Sequence, residues 1–174
     1  MTLATVTRAG SEQRIAWLGG STHHIVLDGS ATDGRLMAVR STMKAGTASP
    51  VHVHDLDDET VFVLAGTGTF WAGDRKWELS SGDTAYLPRG VPHAYAFTSA
   101  EVELLTVCTP AGMEDFFRAV GWDLARPQPA DWAVDLRALA QAGEATGQHV
   151  LGPPLTPHDE MPSGLLQGVH GAGD

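Results

Sequence analysis

Between residues 15 and 110 the chain alternates short apolar runs with clusters of turn-forming residues. Runs such as HHIVLDG, KWELSSGD and EVELLTVCTP are bounded by Gly, Asp, Ser or Pro, which favour tight turns. Strands at this spacing are typical of a sandwich or barrel and not of alternating strand and helix units. The pattern therefore predicts an all-β domain.

The run VFVL, at 61–64, is apolar at four successive positions. A strand with one wet face would alternate apolar and polar residues. We therefore expect both faces of this strand to be covered, one by the barrel interior. The other face would be covered by a helix or by a second subunit.

After residue 110 the pattern becomes helical. MEDFFRAVG ends in glycine, as helices often do. A second helix is predicted in DWAVDLRALAQAG, capped by Asp131 and closed by Gly143, with one face formed by Trp132, Leu136 and Leu139. We predict a barrel over 1–112, a helical extension packed on it over 113–143, and a Gly/Pro-rich tail over 144–174, with poor order expected over its last two dozen residues.

Composition narrows the class of protein. The 174 residues carry a formal net charge of -10, which argues against binding to a nucleic-acid backbone. No apolar stretch approaches the roughly 20 residues that span a bilayer, and MTLATVTRAG lacks a signal-peptide core. We expect a cytoplasmic protein that binds neither nucleic acid nor membrane. Cys108 has no partner for an internal disulfide, and its apolar surroundings predict a small buried side chain.

Candidate metal ligands are concentrated in VHVHDLDDET. His52 and His54 share one face of a strand, roughly 6.6 Å apart along the chain. Glu59 follows an acidic turn and begins a strand that can run back beside the first. Two histidines and a carboxylate form a ligand set that leaves positions open for water, oxygen or substrate.

A fourth candidate ligand is His93, which opens a strand after a turn shaped by Pro88 and Gly90. The neighbouring acids, Asp55, Asp57 and Asp58, either support the ligands or form a solvated loop, and we favour the loop. Adjacent His23 and His24 face opposite sides of a strand, so they cannot both bind one ion. Surface or core packing is the preferred interpretation for both, although one could approach the pocket.

Together these residues and their glycines resemble the two motifs of the cupin family. The first motif stands as Gly46, His52, His54, Glu59 and Gly66, with every spacing met. The second stands as Gly82, Pro88, Gly90 and His93, with Phe97 where asparagine is usual.

This resemblance implies a jelly-roll β-barrel that holds one divalent transition metal. The implied ligands are His52, His54, Glu59 and His93, and the donor set suits iron, nickel, cobalt, manganese, copper or zinc. From about residue 17 to 154 the chain also resembles bacterial single-domain cupins of the quercetin 2,3-dioxygenase-like kind. That narrower resemblance implies a small-molecule substrate, dioxygen as co-substrate and Glu59 as the catalytic base.

A substrate of this kind is flat and aromatic, so its pocket should be wide and apolar. The candidate walls, taken from the strands that carry Glu59 and His93 and from one further strand, are Val61, Val63, Tyr95, Phe97, Met37 and Val39.

Three functions fit these residues. The first is a quercetinase-like dioxygenase that oxidises or cleaves an aromatic or enolic compound. The second is a non-redox metal-dependent isomerase or polyketide cyclase. The third, ranked lowest, is a module that binds a small molecule without turnover. The resemblance also favours a homodimer, in line with the apolar strand at 61–64.

Overall fold

The structure is a computed structural model, and it describes residues 4–166. Residues 1–3 of the predicted barrel and residues 167–174 of the predicted tail lie outside the described part. The strands are β1 (Gln13–Ala16), β2 (Thr22–Leu27), β3 (Met37–Lys44), β4 (Pro50–His54), β5 (Asp58–Ala65), β6 (Thr67–Ala72), β7 (Arg75–Ser80), β8 (Thr84–Leu87), β9 (His93–Phe97), β10 (Glu101–Thr109), β11 (Trp122–Asp123) and β12 (Gln148–Pro154). The α-helices are α1 (Gly29–Thr32), α2 (Met113–Val120) and α3 (Leu136–Thr146).

The strands form two antiparallel sheets. A seven-stranded sheet has the order β11-β1-β2-β3-β10-β5-β8, and a five-stranded sheet has the order β12-β4-β9-β6-β7. Non-consecutive neighbours such as β3-β10-β5 show the crossovers of a jelly roll. The prediction of an all-β jelly-roll fold is confirmed.

The interior lies between the two sheets. Strand β5 buries Glu59, Val61 and Val63, while Phe62 and Leu64 point outward and are 37% and 45% exposed. The period of two along this strand therefore holds, although residues 61–64 are all apolar. No element within residues 4–166 covers Phe62 and Leu64 fully, so the prediction that a helix or a second subunit covers the outer face stays a prediction.

Strands β4 and β5 lie in different sheets. This corrects the expectation that the strand beginning near Glu59 runs back beside the one carrying His52 and His54. The acidic turn between them carries the chain from one sheet to the other. As a result, Glu59 reaches the interior from the sheet opposite the histidines.

The first predicted helix is confirmed, because α2 ends at Gly121. The second helix begins later than predicted: Asp135, and not Asp131, caps it with a hydrogen bond from the Arg137 amide at 2.8 Å. Gly143 lies inside α3, and the helix is closed by Gly147, whose φ is 74°. Either Gly143 or Gly147 could end the helix by its residue type, and the sequence alone does not distinguish them.

The predicted helical face is only partly buried. Leu139 is 8% exposed, but Leu136, the first residue of α3, is 69% exposed. No helix among residues 4–166 is long and apolar enough to cross a membrane.

The expectation that the last two dozen residues are poorly ordered is wrong for 151–166, the part of them that the structure describes. Strand β12 pairs with β4, with Gln148 opposite His54. Beyond it, Leu155 and Met161 pack against Trp71 on the five-stranded sheet. Gly and Pro dominate this segment, yet an antiparallel edge strand tolerates Pro where its missing N–H would face solvent. The boundaries between barrel, extension and tail stay predictions.

Candidate metal centre

Three histidines converge on the inner face of the five-stranded sheet. His52 on β4 lies directly opposite His93 on β9, and their ring centroids are 4.3 Å apart. His54, two residues along the same strand, places its ring 5.2 Å from His52 and 4.9 Å from His93. Each ring offers a nitrogen within 4.8 Å of the other two. We call these residues the histidine group.

Backbone carbonyls select the tautomer of two of these histidines. His52 Nδ1 lies 2.8 Å from the Pro50 carbonyl oxygen, and His93 Nδ1 lies 2.9 Å from the Val91 carbonyl oxygen. A carbonyl oxygen can only accept, so each Nδ1 carries the proton and donates. Each Nε2 then keeps a lone pair that can bind a metal.

The third histidine is held by a carboxylate. His54 Nδ1 lies 3.0 Å from Asp57 Oδ2, and both side chains are buried. Asp57 is only 4% exposed, so the interpretation of the acidic turn as a solvated loop is wrong at this position. It holds for exposed Asp55, which lies 2.9 Å from His149, whereas Asp58 begins strand β5 and pairs with exposed Arg89 at 3.0 Å.

The Nε2 atoms of the histidine group are suited to bind a metal ion. His54 Nε2 and His93 Nε2 are buried and have no hydrogen-bond partner within residues 4–166. Burying an unpaired polar atom carries a free-energy cost, which a bound cation would remove. Three imidazole nitrogens suit a divalent transition metal.

Glu59 brings a carboxylate to the same place from the opposite sheet. Its Oε2 lies 3.6 Å from His93 Nε2 and 3.9 Å from His54 Nδ1, and the residue is 6% exposed. Glu59 therefore lies beside the histidine group, while the ligand atoms that lie within 4.8 Å of one another come from the three histidines.

Electrostatics keep His52 and Glu59 in forms that can bind a cation, but they act in the opposite direction on His54. Burial, reinforced by the charges of His93 and His54, lowers the pKa of His52 to about 3. Burial would raise the pKa of the Glu59 carboxyl, but the neighbouring imidazoles outweigh it and lower this pKa to about 2. Burial opposes protonation of His54, yet its contacts with Asp57 and Glu59 raise its pKa overall. At neutral pH, His52 is therefore neutral and Glu59 is ionised.

A cavity opens beside the histidine group, between the two sheets. His52 and Glu59 line it, together with the three expected wall residues Val39, Val61 and Tyr95. Burial and the nearby Glu59 charge raise the pKa of the Tyr95 hydroxyl, so it keeps its proton. The cavity is closed on the helical side by Met113, Phe116, Phe117 and Leu139.

The other three expected wall residues belong to the core. Val63 and Phe97 pack in a cluster with Met43, Phe70 and Leu104. Met37 lies fully buried beside Cys108, which is also fully buried as predicted. These side chains point inward as expected, but they do not line the cavity.

Other residues of the cavity were missed or misjudged from the sequence. His23 lines it and is 3% exposed, and Gln148 lines it from β12. The pair His23–His24 did indicate that one ring points inward, but not which one. Gln148 had no comparable indication, because it stands in a segment rich in Gly and Pro.

Comparison with known proteins shows which family the chain resembles. The family model described as "Cupin domain" matches residues 39–108, a range that contains the histidine group and Glu59. The chain is 30% identical over 116 residues to a quercetin 2,3-dioxygenase of Bacillus subtilis, covering 67% of this chain and 34% of that protein. It is 32% identical over 75 residues to a quercetin 2,3-dioxygenase of Aspergillus japonicus, covering 40% of this chain and 21% of that protein. The chain thus spans about a third or less of these two relatives.

Solved structures share the fold. An RmlC-like cupin of Shewanella frigidimarina superposes with a TM-score of 0.54 at 21% identity, over 66% of this chain and 98% of the other. At that identity the likeness shows the fold alone. The matched domain, the two motifs with their spacing and the jelly-roll topology lead to one conclusion: the chain belongs to the cupin superfamily.

Proposed function

We propose that the protein is a metal-dependent dioxygenase that oxidises or cleaves an aromatic or enolic small molecule. The observation that carries this proposal is a group of three histidines with two unpartnered buried nitrogens, opening onto an apolar cavity. The similarity to two quercetin 2,3-dioxygenases supports the reaction class.

The metal would be held by His52, His54, His93 and Glu59. When bound, it supplies a positive charge that stabilises a deprotonated substrate and a centre at which dioxygen is activated. A dioxygenase puts both oxygen atoms into the substrate, and the electrons that reduce oxygen come from the substrate. No further reductant is required.

The chain's own residues position the substrate and move its proton. Glu59 lines the cavity as an ionised carboxylate, so it is the group that accepts the proton of an enol or phenol. Val39, Val61 and Phe70 form apolar walls that exclude water from the reacting carbon. Tyr95, which stays protonated, offers a hydroxyl group on the same side as His93.

The test is oxygen-dependent consumption of a flavonol. Protein loaded separately with Fe²⁺, Ni²⁺, Co²⁺, Mn²⁺, Cu²⁺ or Zn²⁺ is incubated with quercetin in air and under nitrogen. The proposal predicts loss of flavonol absorbance and uptake of oxygen in air only, with at least one of the metals. Turnover that is equal under nitrogen would contradict a dioxygenase and favour the non-redox isomerase or cyclase. Binding without turnover would favour a binding module.

We also propose a homodimer formed through the outer face of the seven-stranded sheet. Phe62, Leu64 and Tyr86 are exposed on neighbouring strands β5 and β8, and Tyr86 is 62% exposed. A second copy would cover this apolar surface. Sedimentation at micromolar concentration should show a dimer that Phe62→Lys dissociates. A wild-type monomer would refute it.

A further inference from the structure

Two buried polar atoms of the cavity have no role in holding a metal. They are Nε2 of His23 and Nε2 of Gln148, and neither has a hydrogen-bond partner within the described part of the chain. His23 is 3% exposed and Gln148 is 6% exposed, and both line the cavity that His52 and Glu59 also line. Unpaired polar atoms are costly when buried, so their position indicates a bound partner.

The imidazole of His23 is fixed from three sides. Its Nδ1 lies 2.7 Å from Ser41 Oγ on the neighbouring strand. Its ring lies 4.4 Å from the ring of Phe117 and 5.3 Å from that of Trp17. The hydrogen bond to Ser41 occupies Nδ1 and leaves Nε2 free. A ring held this firmly presents its free nitrogen at one fixed point.

A hydroxyl group is the ligand group that suits His23 in either tautomer. If the Ser41 hydroxyl donates to Nδ1, then Nε2 carries a proton and needs an acceptor. If Ser41 accepts, then Nε2 has a lone pair and needs a donor. A hydroxyl both donates and accepts, and the surrounding rings of Trp17, Phe116 and Phe117 favour an aromatic group that carries it.

His23 is remote from the predicted metal. Across the seven-stranded sheet, His23 on β2 pairs with Ser41 on β3, and β10 separates β3 from β5, which carries Glu59. Three strand spacings correspond to about 14 Å along the sheet. A group bound to His23 therefore belongs to a different part of the substrate from the part that reacts.

Gln148 is at the metal end. It lies directly opposite His54 in the β12–β4 pair, and side chains of such a pair share one face of the sheet. Its free N–H group needs an oxygen acceptor beside the histidine group.

We propose that His23 is a specificity residue that binds a hydroxyl group on the distal ring of an elongated aromatic substrate, while Gln148 donates to an oxygen near the reacting end. This inference rests on the proposed function, because it takes the cavity as the substrate site. It narrows the substrate to polyphenols with a hydroxyl group on a ring other than the one that reacts.

The experiment compares matched probes in zinc-loaded protein under nitrogen, where binding is measured by calorimetry without turnover. The probes are 3-hydroxyflavone and its analogues with one added hydroxyl group, at the 7 or at the 4′ position. Wild type should bind one of the analogues about tenfold more tightly than 3-hydroxyflavone. His23→Phe should erase that preference, and His23→Gln, which keeps a polar nitrogen at a similar reach, should restore part of it.

Two further variants separate the roles. Gln148→Leu should weaken all the probes by a similar factor, because they share the oxygens of the reacting end. His24→Gln, on the outward face of the same strand as His23, should change nothing. The inference is overturned if His23→Phe keeps the preference, or if the wild type shows no preference or binds none of these probes. The proposed function fails separately, through the absence of oxygen-dependent turnover.

Discussion

The Nδ1 atom of His54 lies 3.0 Å from Oδ2 of Asp57, and both side chains are buried beneath the acidic turn. The carboxylate holds the proton on Nδ1 and leaves Nε2 with a lone pair that can bind a metal. Without that carboxylate, the imidazole could bind through the wrong nitrogen or turn away.

Asp57→Asn should therefore weaken metal binding by about 10- to 100-fold. The amide keeps the size of the side chain but removes its charge. Affinity is measured by titrating the apoprotein with Co²⁺ or Zn²⁺ against a competing chelator. Asp55→Asn is the control, since Asp55 is exposed and pairs with His149. Equal affinities of the two variants would show that Asp57 does not orient His54.

Glu59→Gln should lower kcat by about 100-fold or more, because the amide cannot accept the substrate proton. The three histidines should still retain the metal, which elemental analysis checks. Glu103→Gln serves as the control, because Glu103 lies on the outer face of β10 beside Arg40. Undiminished turnover in Glu59→Gln would assign the base to another group.

Acid should destabilise the fold through His23. Burial, with a smaller effect of the His24 charge, lowers its pKa to about 3, whereas the unfolded chain has a value of about 6.5. Below pH 6.5 the unfolded state binds a proton that the folded state does not. The stabilising contribution is therefore complete above about pH 6.5 and is lost as the pH falls toward about 3.

His23→Gln removes this titration. Its unfolding free energy should fall less steeply with decreasing pH, by up to about 1.4 kcal/mol per pH unit. Urea unfolding at about pH 7.5, 6 and 5 measures the slope. His52 titrates in the same way in the wild type and in His23→Gln. The difference between their pH slopes therefore reports on His23. Identical slopes would mean that His23 is protonated within the fold.

Gly66 is required by its contacts as well as by its backbone. Its φ is 84°, and an added Cβ would lie 2.6 Å from the Glu101 carbonyl oxygen. Gly82 has a similar φ of 97°, but an added Cβ meets open space. Each substitution to Ala should lower the free energy of unfolding by about 1–2 kcal/mol through backbone strain. Gly66→Ala should lower it further, because its Cβ also meets the Glu101 carbonyl oxygen. Thermal unfolding of the two variants tests whether Gly66→Ala is the less stable. Equal losses of stability would show that the contact has no effect.

Only part of the candidate site follows from local spacing, and placing His93 beside the other candidates rested on the resemblance to the cupin motifs. His52 and His54 share a strand face by the period of two, and the glycines at 46 and 66 bracket that segment. A histidine and a carboxylate separated by a short turn need little long-range information to meet. Long-range information is needed to assign each strand to a sheet. The position of β5 relative to β4 was therefore predicted wrongly.

The remainder of the cavity depends on register and on the C-terminal segment. Which of His23 and His24 points inward is decided by the pairing of His23 with Ser41, which no local pattern reveals. Strand β12 has the composition of a loop, and it is stabilised by its partner β4 and by the packing of the segment that follows it. Tertiary context thus overrides local propensity there.

The central claim is that His52, His54, His93 and Glu59 hold one metal ion. Diffraction from crystals soaked in Co²⁺, recorded at the cobalt absorption edge, tests it most directly. We expect one anomalous peak per chain, within about 2.0–2.2 Å of Nε2 of all three histidines and of a Glu59 oxygen. A fully soaked crystal with no peak between these side chains, or with a peak at other residues only, would contradict the account.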